Sequence, residues 1–274
     1  PVPLVSTMHD VSPFLYPHSV PLPLRMRYRS QLRDTLGEAK RVITVSQILF
    51  STLSVYAGVD PAKVRVIHNG VAEWFAPQTD PAVLQAVRRR YSLPERFAFW
   101  AGDFRQEKNI PFLIQAWSRM HKRLADPPTL VLAGAQRLEY RKVREEVRKK
   151  GLEGKVLFPG FIGEEDLPAV YSAATIFVFP SLAEGFGLPP LEAMACGTPC
   201  VVSNSSSLPE VTGSAALLFD PTSLDAFEEC VSRVLTQPDL YEHLREEGLR
   251  QAARFSWKKS ADETLEVYRS ALTG

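Results

Sequence analysis

The sequence predicts an α/β fold of parallel sheets covered by helices, with one complete doubly wound domain and a smaller, partial domain before it. Three observations lead to this prediction. From Phe97 onward, short apolar runs alternate with longer amphipathic segments, which is the pattern of a parallel sheet with helical crossovers. Before Phe97 the same pattern yields three strands, too few for a full domain of this kind. Between the two parts lies a turn-rich stretch, Asn69 to Asp80, which is the candidate hinge.

Residues 1–76 are expected to form the partial domain, and residues 77–255 the complete one. In the first, the predicted strands are Leu4–His9, Arg41–Val45 and Lys63–Ile67, and the predicted helices are Arg27–Ala39 and Gln47–Tyr56. In the second, the predicted strands are Phe97–Gly102, Thr129–Ala135, Lys155–Gly160, Thr175–Pro180, Thr198–Ser203 and Ala215–Phe219. The predicted helices of that part are Ile110–Arg123, Arg137–Lys150, Glu164–Ala173, Pro189–Cys196, Leu208–Thr212, Ser223–Thr236 and Leu240–Arg254. A last helix, Trp257–Leu272, is expected to return to the first domain within residues 256–274.

The composition excludes several classes of protein. A formal net charge of +1 gives no global attraction for nucleic acid, and the basic triplets at 88–90 and 148–150 are expected on solvated helix faces. Three irregularly spaced cysteines do not make a disulfide framework or a zinc site, so a reducing cytoplasm is expected. No apolar run reaches the ~20 residues that cross a bilayer, and the start lacks the pattern of a signal peptide.

One segment carries the chemistry. The predicted strand Thr175–Pro180 runs into a loop with Gly185 and Gly187, and Pro189 and Pro190 then suit the first turn of a helix. Close backbone approach and a helix amino terminus together make an anion site that fits a diphosphate. Glu184 before the loop and Glu192 within the helix would reach hydroxyls on either side of the phosphates. A nucleotide sugar has hydroxyls at both ends.

Two other interpretations of this segment compete. Glu192 could simply complement the helix dipole while Glu184 lies in solvent. A dinucleotide site fits less well, because proline stands where the fingerprint needs its third glycine, and no acidic residue ends a short strand ~20 residues later.

The segment from Glu184 to Glu192 resembles the E-x7-E motif of the family 4 retaining glycosyltransferases, which have the two-domain GT-B fold. The likeness covers nearly the whole chain in the expected order. Further family-like segments are Val42–Ser46, Val66–Val71, Gly102–Asn109, Phe158–Phe161 and Phe255–Trp257. The resemblance implies a complete C-terminal Rossmann-like domain and a partial N-terminal, acceptor-side Rossmann-like domain that lacks a glycine-rich loop and about half of its strands.

The resemblance also implies the roles of individual residues. Glu192 would bind the ribose and Glu184 a hydroxyl of the transferred sugar, while Arg105 and Lys108 would neutralise the leaving diphosphate without a metal. His9 would face the donor sugar across the cleft. The residues expected to contact the donor are Gly102, Gly160, Phe161, Gly185, Phe186, Gly187, Leu188 and Glu192. Without the resemblance, the two cations fit surface charges better than a binding role, and His9 fits a structural strand end equally well.

The expected function is transfer of a hexose, with mannose slightly favoured, from a GDP- or UDP-linked sugar to a glycan or lipid-linked acceptor, with retention and without cofactor or metal. Three alternatives stay open: a donor-binding fragment, a subunit of a split transferase inactive alone, and a sugar-nucleotide epimerase of the same fold. The expected partners therefore include a missing N-terminal segment or subunit, but no nucleic acid. The run Pro21 to Arg29 fits either a solvated helix start or peripheral contact with the inner face of the membrane.

Overall fold

The protein contains two parallel β-sheets, seen in a computed structural model that describes residues 2–11, 14, 20–135 and 138–273. The first sheet has three strands in the order β1-β2-β3: Val5–Met8, Arg41–Thr44 and Val64–Val66. Helices α1 (Leu22–Glu38) and α2 (Gln47–Ala57) connect them. These three strands match the predicted ones, each shorter by one or two residues.

The second sheet has six parallel strands in the order β6-β5-β4-β7-β8-β9. These strands are β4 Phe97–Ala101, β5 Thr129–Ala133, β6 Val156–Gly160, β7 Ile176–Phe179, β8 Cys200–Ser203 and β9 Ala216–Phe219. Counted within this sheet, the order is 3-2-1-4-5-6, that of a doubly wound Rossmann-type domain. The predicted α/β fold is confirmed.

Helices precede the second sheet, connect its strands and follow it. They are α3 Pro81–Arg90, α4 Ile110–Arg123, α5 Leu138–Lys149, α6 Leu167–Ala173, α7 Leu188–Ala195, α8 Leu208–Thr212, α9 Leu224–Thr236, α10 Pro238–Ala252 and α11 Trp257–Thr273. Helices α5, α4 and α9 pack side by side on one face, and α3, α6, α7 and α10 pack together on the other. The central strands are therefore buried on both faces, which explains why they are continuous apolar runs in the sequence.

The largest differences from the predicted helices occur at three helix starts. Helix α1 begins at Leu22 rather than Arg27, because proline is tolerated in a first helical turn, where its missing N–H would have no partner. Helix α3 was not predicted; the Asp80 side chain caps it by accepting from Ala82 N at 2.8 Å. Helix α6 starts at Leu167 instead of Glu164. Arg137, the predicted start of α5, lies outside the described residues.

The chain passes between the two sheets along two adjacent paths. Val71 N donates to Phe255 O at 3.2 Å, and a Cβ placed on Gly70 would lie 2.1 Å from Trp257 N. Helix α11 then packs on the first sheet, where Val267 meets Ile43 and Ile67. The predicted domain limits remain predictions. Among the described helices, none is both long and apolar enough to cross a membrane.

Candidate donor-binding site

The glycine loop lies where the order of the second sheet reverses. Strands β4 and β7 are neighbours in the middle of the sheet, and the connections that follow them lead away in opposite directions. Ligands of open α/β sheets bind in the crevice that this reversal leaves at the carboxyl ends of the strands. The loop after β4 contains Gly102, Arg105 and Lys108, and the loop after β7 contains Glu184 to Gly187.

Two glycines of the loop are required by their surroundings. Gly187, the residue before α7, has φ of +112°, which L side chains rarely adopt. A Cβ on Gly185 would lie 2.0 Å from the carbonyl oxygen of His9, so the loop runs directly against the end of β1. Phe186 is buried, and Leu188 opens the helix. The amino terminus of α7 thus lies in the cleft between the sheets, as an anion site requires.

Lys108 and Glu184 form an ion pair beside this loop. The Lys108 Nζ lies 2.6 Å from Glu184 Oε1, and each side chain is 11% exposed. The ammonium also lies 5.6 Å from the centre of the Phe179 ring. The two loops are joined by a hydrogen bond from Leu182 N to Glu107 O at 2.7 Å. A phosphate that takes the ammonium would free the carboxylate for a hydroxyl.

Arg105 does not share this position. Its side chain is half exposed, with Nε 3.1 Å from Oε1 of the buried Glu107. It lines a cavity between α4 and α5, which shares no lining residue with the cavity that contains Glu192. Its role at the diphosphate stays a prediction.

Several of the residues predicted to contact the donor line a cavity of about 340 Å³. Gly102, Phe161 and Glu192 all line it, and Phe161 is 72% exposed. Its other lining residues are Ala101, Asp103, Ala133, Gly134, Ala135, Ile162, Leu167, Tyr171 and Pro189. Gly160, at the end of β6, accepts from Gly134 N at 2.9 Å and so joins two strand ends at the cavity. Asp103 and Gly134 directly follow predicted strands or end them, which is where ligands of such sheets bind, but nothing in the sequence marked Tyr171.

Glu192 is held within this cavity by Tyr171. The Tyr171 hydroxyl donates to Glu192 Oε2 at 2.9 Å. Burial raises the pKa of Glu192, the hydrogen bond from Tyr171 opposes that rise, and the charge of Glu164 adds to it. Burial likewise raises the pKa of Tyr171, so this hydroxyl stays a donor. A carboxylate fixed in this way can accept hydrogen bonds from a ribose diol.

His9 stands on the opposite wall of the cleft. Its side chain is exposed and lines a separate cavity between the first sheet and α11, together with Thr7 and Trp257. Its contact with the glycine loop is made by the backbone at Gly185. The structure thus brings His9 to the loop, while its ring lies at the mouth of a neighbouring groove.

Comparison with known proteins identifies the family. Residues 87–251, more than half of the 274-residue chain, match the family model described as glycosyl transferases group 1, and residues 1–75 match that of glycosyltransferase family 4. The O-antigen chain mannosyltransferase B of Escherichia coli is 35% identical over 269 residues, which cover 97% of this chain and 70% of that protein. A serotype-specific mannosyltransferase of Escherichia coli, WbdA, is 33% identical over 89% of this chain and 31% of its own length.

A solved structure agrees with these matches. The sucrose-phosphate synthase from Thermosynechococcus elongatus superposes with a TM-score of 0.83 at 26% identity, over 98% of this chain and 67% of that one. The chain thus matches its relatives along almost all of its own length but spans only part of theirs. It belongs to the family 4 glycosyltransferases with the GT-B fold.

Proposed function

We propose that the protein transfers a hexose, most readily mannose, from a nucleotide diphosphate sugar to a glycan or lipid-linked acceptor, with retention of anomeric configuration and without a metal. The observation that carries this proposal is the Lys108–Glu184 ion pair beside the glycine loop, which contacts the backbone of His9 and leads into α7 with Glu192. Nucleotide, diphosphate and sugar would then lie in that order along the cleft.

The cations supply the charge that the leaving group needs. Lys108, now paired with Glu184, would bind the diphosphate together with the amides of Gly187 and Leu188 at the helix start. Arg105 would join it by leaving Glu107, to which it is bound through a half-exposed side chain. Preorganised charge of this kind lowers the barrier by about 3 to 4 kcal/mol per group. In the proposed front-face attack, the departing phosphate accepts the proton of the acceptor hydroxyl.

The donor base and sugar are inferred from the relatives. Both Escherichia coli proteins described above are named mannosyltransferases. The His9-Asp10 pair at the end of β1 resembles the strand end of such enzymes. We therefore favour GDP-mannose over UDP-sugars. Thermal-shift titration with GDP, UDP and ADP sugars tests this choice, because a ligand at a hundred times its Kd adds about 2.7 kcal/mol of stability. A larger shift with a UDP-sugar than with GDP-mannose would overturn it.

Product analysis tests the reaction itself. The full chain is incubated with donor and glycan acceptor, and the anomeric configuration of the product is read by NMR, with and without a chelator. An α-linked product from an α-linked donor, unchanged by the chelator, is expected. Turnover by a Glu184→Gln, Lys108→Ala double variant at the wild-type rate would refute the assigned site.

Two alternatives compete with this proposal, and a specific observation favours the first. The chain spans only part of its relatives, so it could hold the donor and transfer nothing alone. Calorimetric binding of nucleotide without product would favour this fragment or split subunit, and an added segment that restores activity would identify it. A changed sugar in the absence of acceptor would indicate an epimerase.

A cytoplasmic protein at the inner membrane face is also part of the proposal. The first turns of α1 expose Leu22, Leu24 and Met26 beside Arg27 and Arg29. An apolar and basic surface suits anionic lipid. Co-sedimentation with anionic but not zwitterionic vesicles, reduced in Leu24→Ser and Met26→Ser, is the expected result.

A further inference from the structure

The side chains of a serine-rich segment form hydrogen bonds with the backbone of the glycine loop. The serine segment, residues 203–212, begins at the last residue of β8. It includes four serines that form hydrogen bonds with the backbone of residues 181–186. The bonds are Ser203 Oγ to Ser181 O (2.5 Å), Ser205 Oγ to Leu182 O (2.5 Å), Glu184 N to Ser206 Oγ (2.8 Å), and Ser207 Oγ to Glu184 O (3.0 Å) and Phe186 O (2.7 Å). The shape of the loop is therefore set by this segment.

The same segment reaches across the cleft through Glu210. Both carboxylate oxygens accept from Gln47 N, at 3.0 and 2.9 Å, and Oε1 lies 2.6 Å from His68 Nε2. Gln47 is the first residue of α2 and His68 follows β3, so the Glu210 side chain holds a helix and a loop that belong with the first sheet. The His68 ring in turn packs against Phe186 of the loop, with centroids 6.0 Å apart.

The serine segment is tightly packed around these two attachments. Ser207, Leu208, Val211 and Thr212 are fully buried, and the Thr212 hydroxyl donates to Leu208 O at 2.9 Å. Leu208 also packs beneath Gly187, where an added Cβ would meet its side chain at 2.7 Å. A displacement of Glu210 relative to the second sheet would therefore displace Ser207 and the loop with it.

A second contact joins α2 directly to the glycine loop. Ser46, which caps α2, donates its hydroxyl to Gly185 O at 2.7 Å in the buried centre of the cleft. The amino end of α2 is thus held at Ser46 by the loop and at Gln47 by Glu210. The loop cannot keep these partners if the two sheets separate.

We propose that the serine segment couples closure of the cleft to the shape of the glycine loop, with Ser207 and Glu210 as positioning residues. The coupling is a property of contacts within this chain, and its consequence for sugar transfer rests on the proposed function. Linkage makes the effect reciprocal: a nucleotide that orders the loop tightens the Glu210 contact across the cleft.

Amide hydrogen exchange of the ligand-free full chain tests the coupling without any assay of transfer. The variants are Glu210→Ala and the conservative Glu210→Gln. The control is Glu242→Ala, which removes an acidic side chain that pairs with Arg245 within α10. In Glu210→Ala, exchange at Gln47 and also at Glu184 to Phe186 is expected to rise about tenfold or more, since a hydrogen bond to a charged group is lost. Glu210→Gln should recover most of the protection, and Glu242→Ala should match the wild type.

Faster exchange at Gln47 with an unchanged loop would overturn the proposal. Ser207→Ala provides the converse experiment, and an independent one if Glu210→Ala fails to fold: it should speed exchange at Gln47, on the other side of the cleft. Slower exchange at Gln47 on addition of GDP or UDP is expected as well. If neither nucleotide binds, the proposed donor site fails, while the ligand-free result still decides the coupling.

Discussion

The two sheets differ in how well their surroundings bury them. In the second sheet, Phe99 and Phe177 lie on central strands with helices on both faces and are fully buried. The first sheet has a small separate cluster of Ile43, Ile67 and Val267. Its covering helix α11 exposes Trp257, Leu265, Tyr268 and Leu272. Parallel sheets are normally covered on both faces, and the first sheet has the thinner cover on the face beneath α11.

This contrast assigns different roles to the two walls of the cleft. The wall built on the second sheet supplies Glu192, Lys108 and the glycine loop from rigid elements. The other wall supplies His9, and its placement rests on a few polar contacts such as Ser46 to Gly185. Substitutions in the wall built on the second sheet should therefore change chemistry or global stability. Substitutions in the wall built on the first sheet should change how the two walls meet.

The largest effect is expected for Lys108→Ala. The change removes the cation assigned to the diphosphate and leaves the largely buried Glu184 carboxylate unpaired. We expect transfer to slow by about a hundredfold or more, measured as kcat at saturating donor. Lys142→Ala, which removes an exposed lysine from an i,i+3 pair on α5, serves as control and should leave the rate unchanged. A rate for Lys108→Ala close to that of the control would contradict the assignment.

The next effect concerns the cores of the two sheets. Phe177 packs its ring against Phe99, Tyr171 and Phe179, so Phe177→Ala should cost about 3–5 kcal/mol of unfolding free energy. Ile43→Ala, in the thinner cluster, should cost about 2 kcal/mol, the low end for such a change, because fewer neighbours surround the cavity. Urea denaturation measures both. Equal losses would show that the first sheet is as well packed as the second.

The sequence predicts the second sheet better than the cleft. Strands such as β4 and β7 are recognisable because burial on both faces demands continuous apolar residues, and the site loops follow from their position after those strands. Helix α3 was missed, since its Asp80-Pro81 start follows directly on a turn-rich stretch and looks like part of it.

The cross-cleft contacts have no such sequence signal. Tyr171 meets Glu192 from a neighbouring helix, and Glu210 meets Gln47 from 163 residues away, so only the folded chain brings them together. The resemblance gave Lys108 and Glu184 separate ligands, and their mutual contact could not be anticipated from it. Tertiary geometry, rather than local preference, decides these pairs.

A smaller effect is expected where the two walls touch. In Gly185→Ala the new methyl group would lie 2.0 Å from His9 O, a backbone atom that must move, so the walls are forced apart. We expect a loss of about 1–3 kcal/mol in unfolding free energy, typical of overpacking, together with weaker nucleotide binding by calorimetry. Gly37→Ala is the matched control, because nothing lies within 4 Å of the added Cβ in helix α1. That change should be neutral or stabilising.

The smallest effect separates stability from binding at Glu192. Burial raises the pKa of this carboxyl above its ordinary 4.5, so the folded state disfavours the charged form. The cost is fully present above the folded pKa and absent below the unfolded one, hence Glu192→Gln should stabilise the protein at about pH 7 and lose that gain by about pH 4. The new amide oxygen can still accept from Tyr171, as the carboxylate does. Urea midpoints at the two pH values measure the gain, and Glu247→Gln, at a carboxyl whose pKa Arg250 lowers, should show none at pH 7. Weaker nucleotide binding together with higher stability at pH 7 would show that Glu192 serves ligand binding at the expense of stability. A loss of stability that is equal at both pH values would show instead that Glu192 matters for packing.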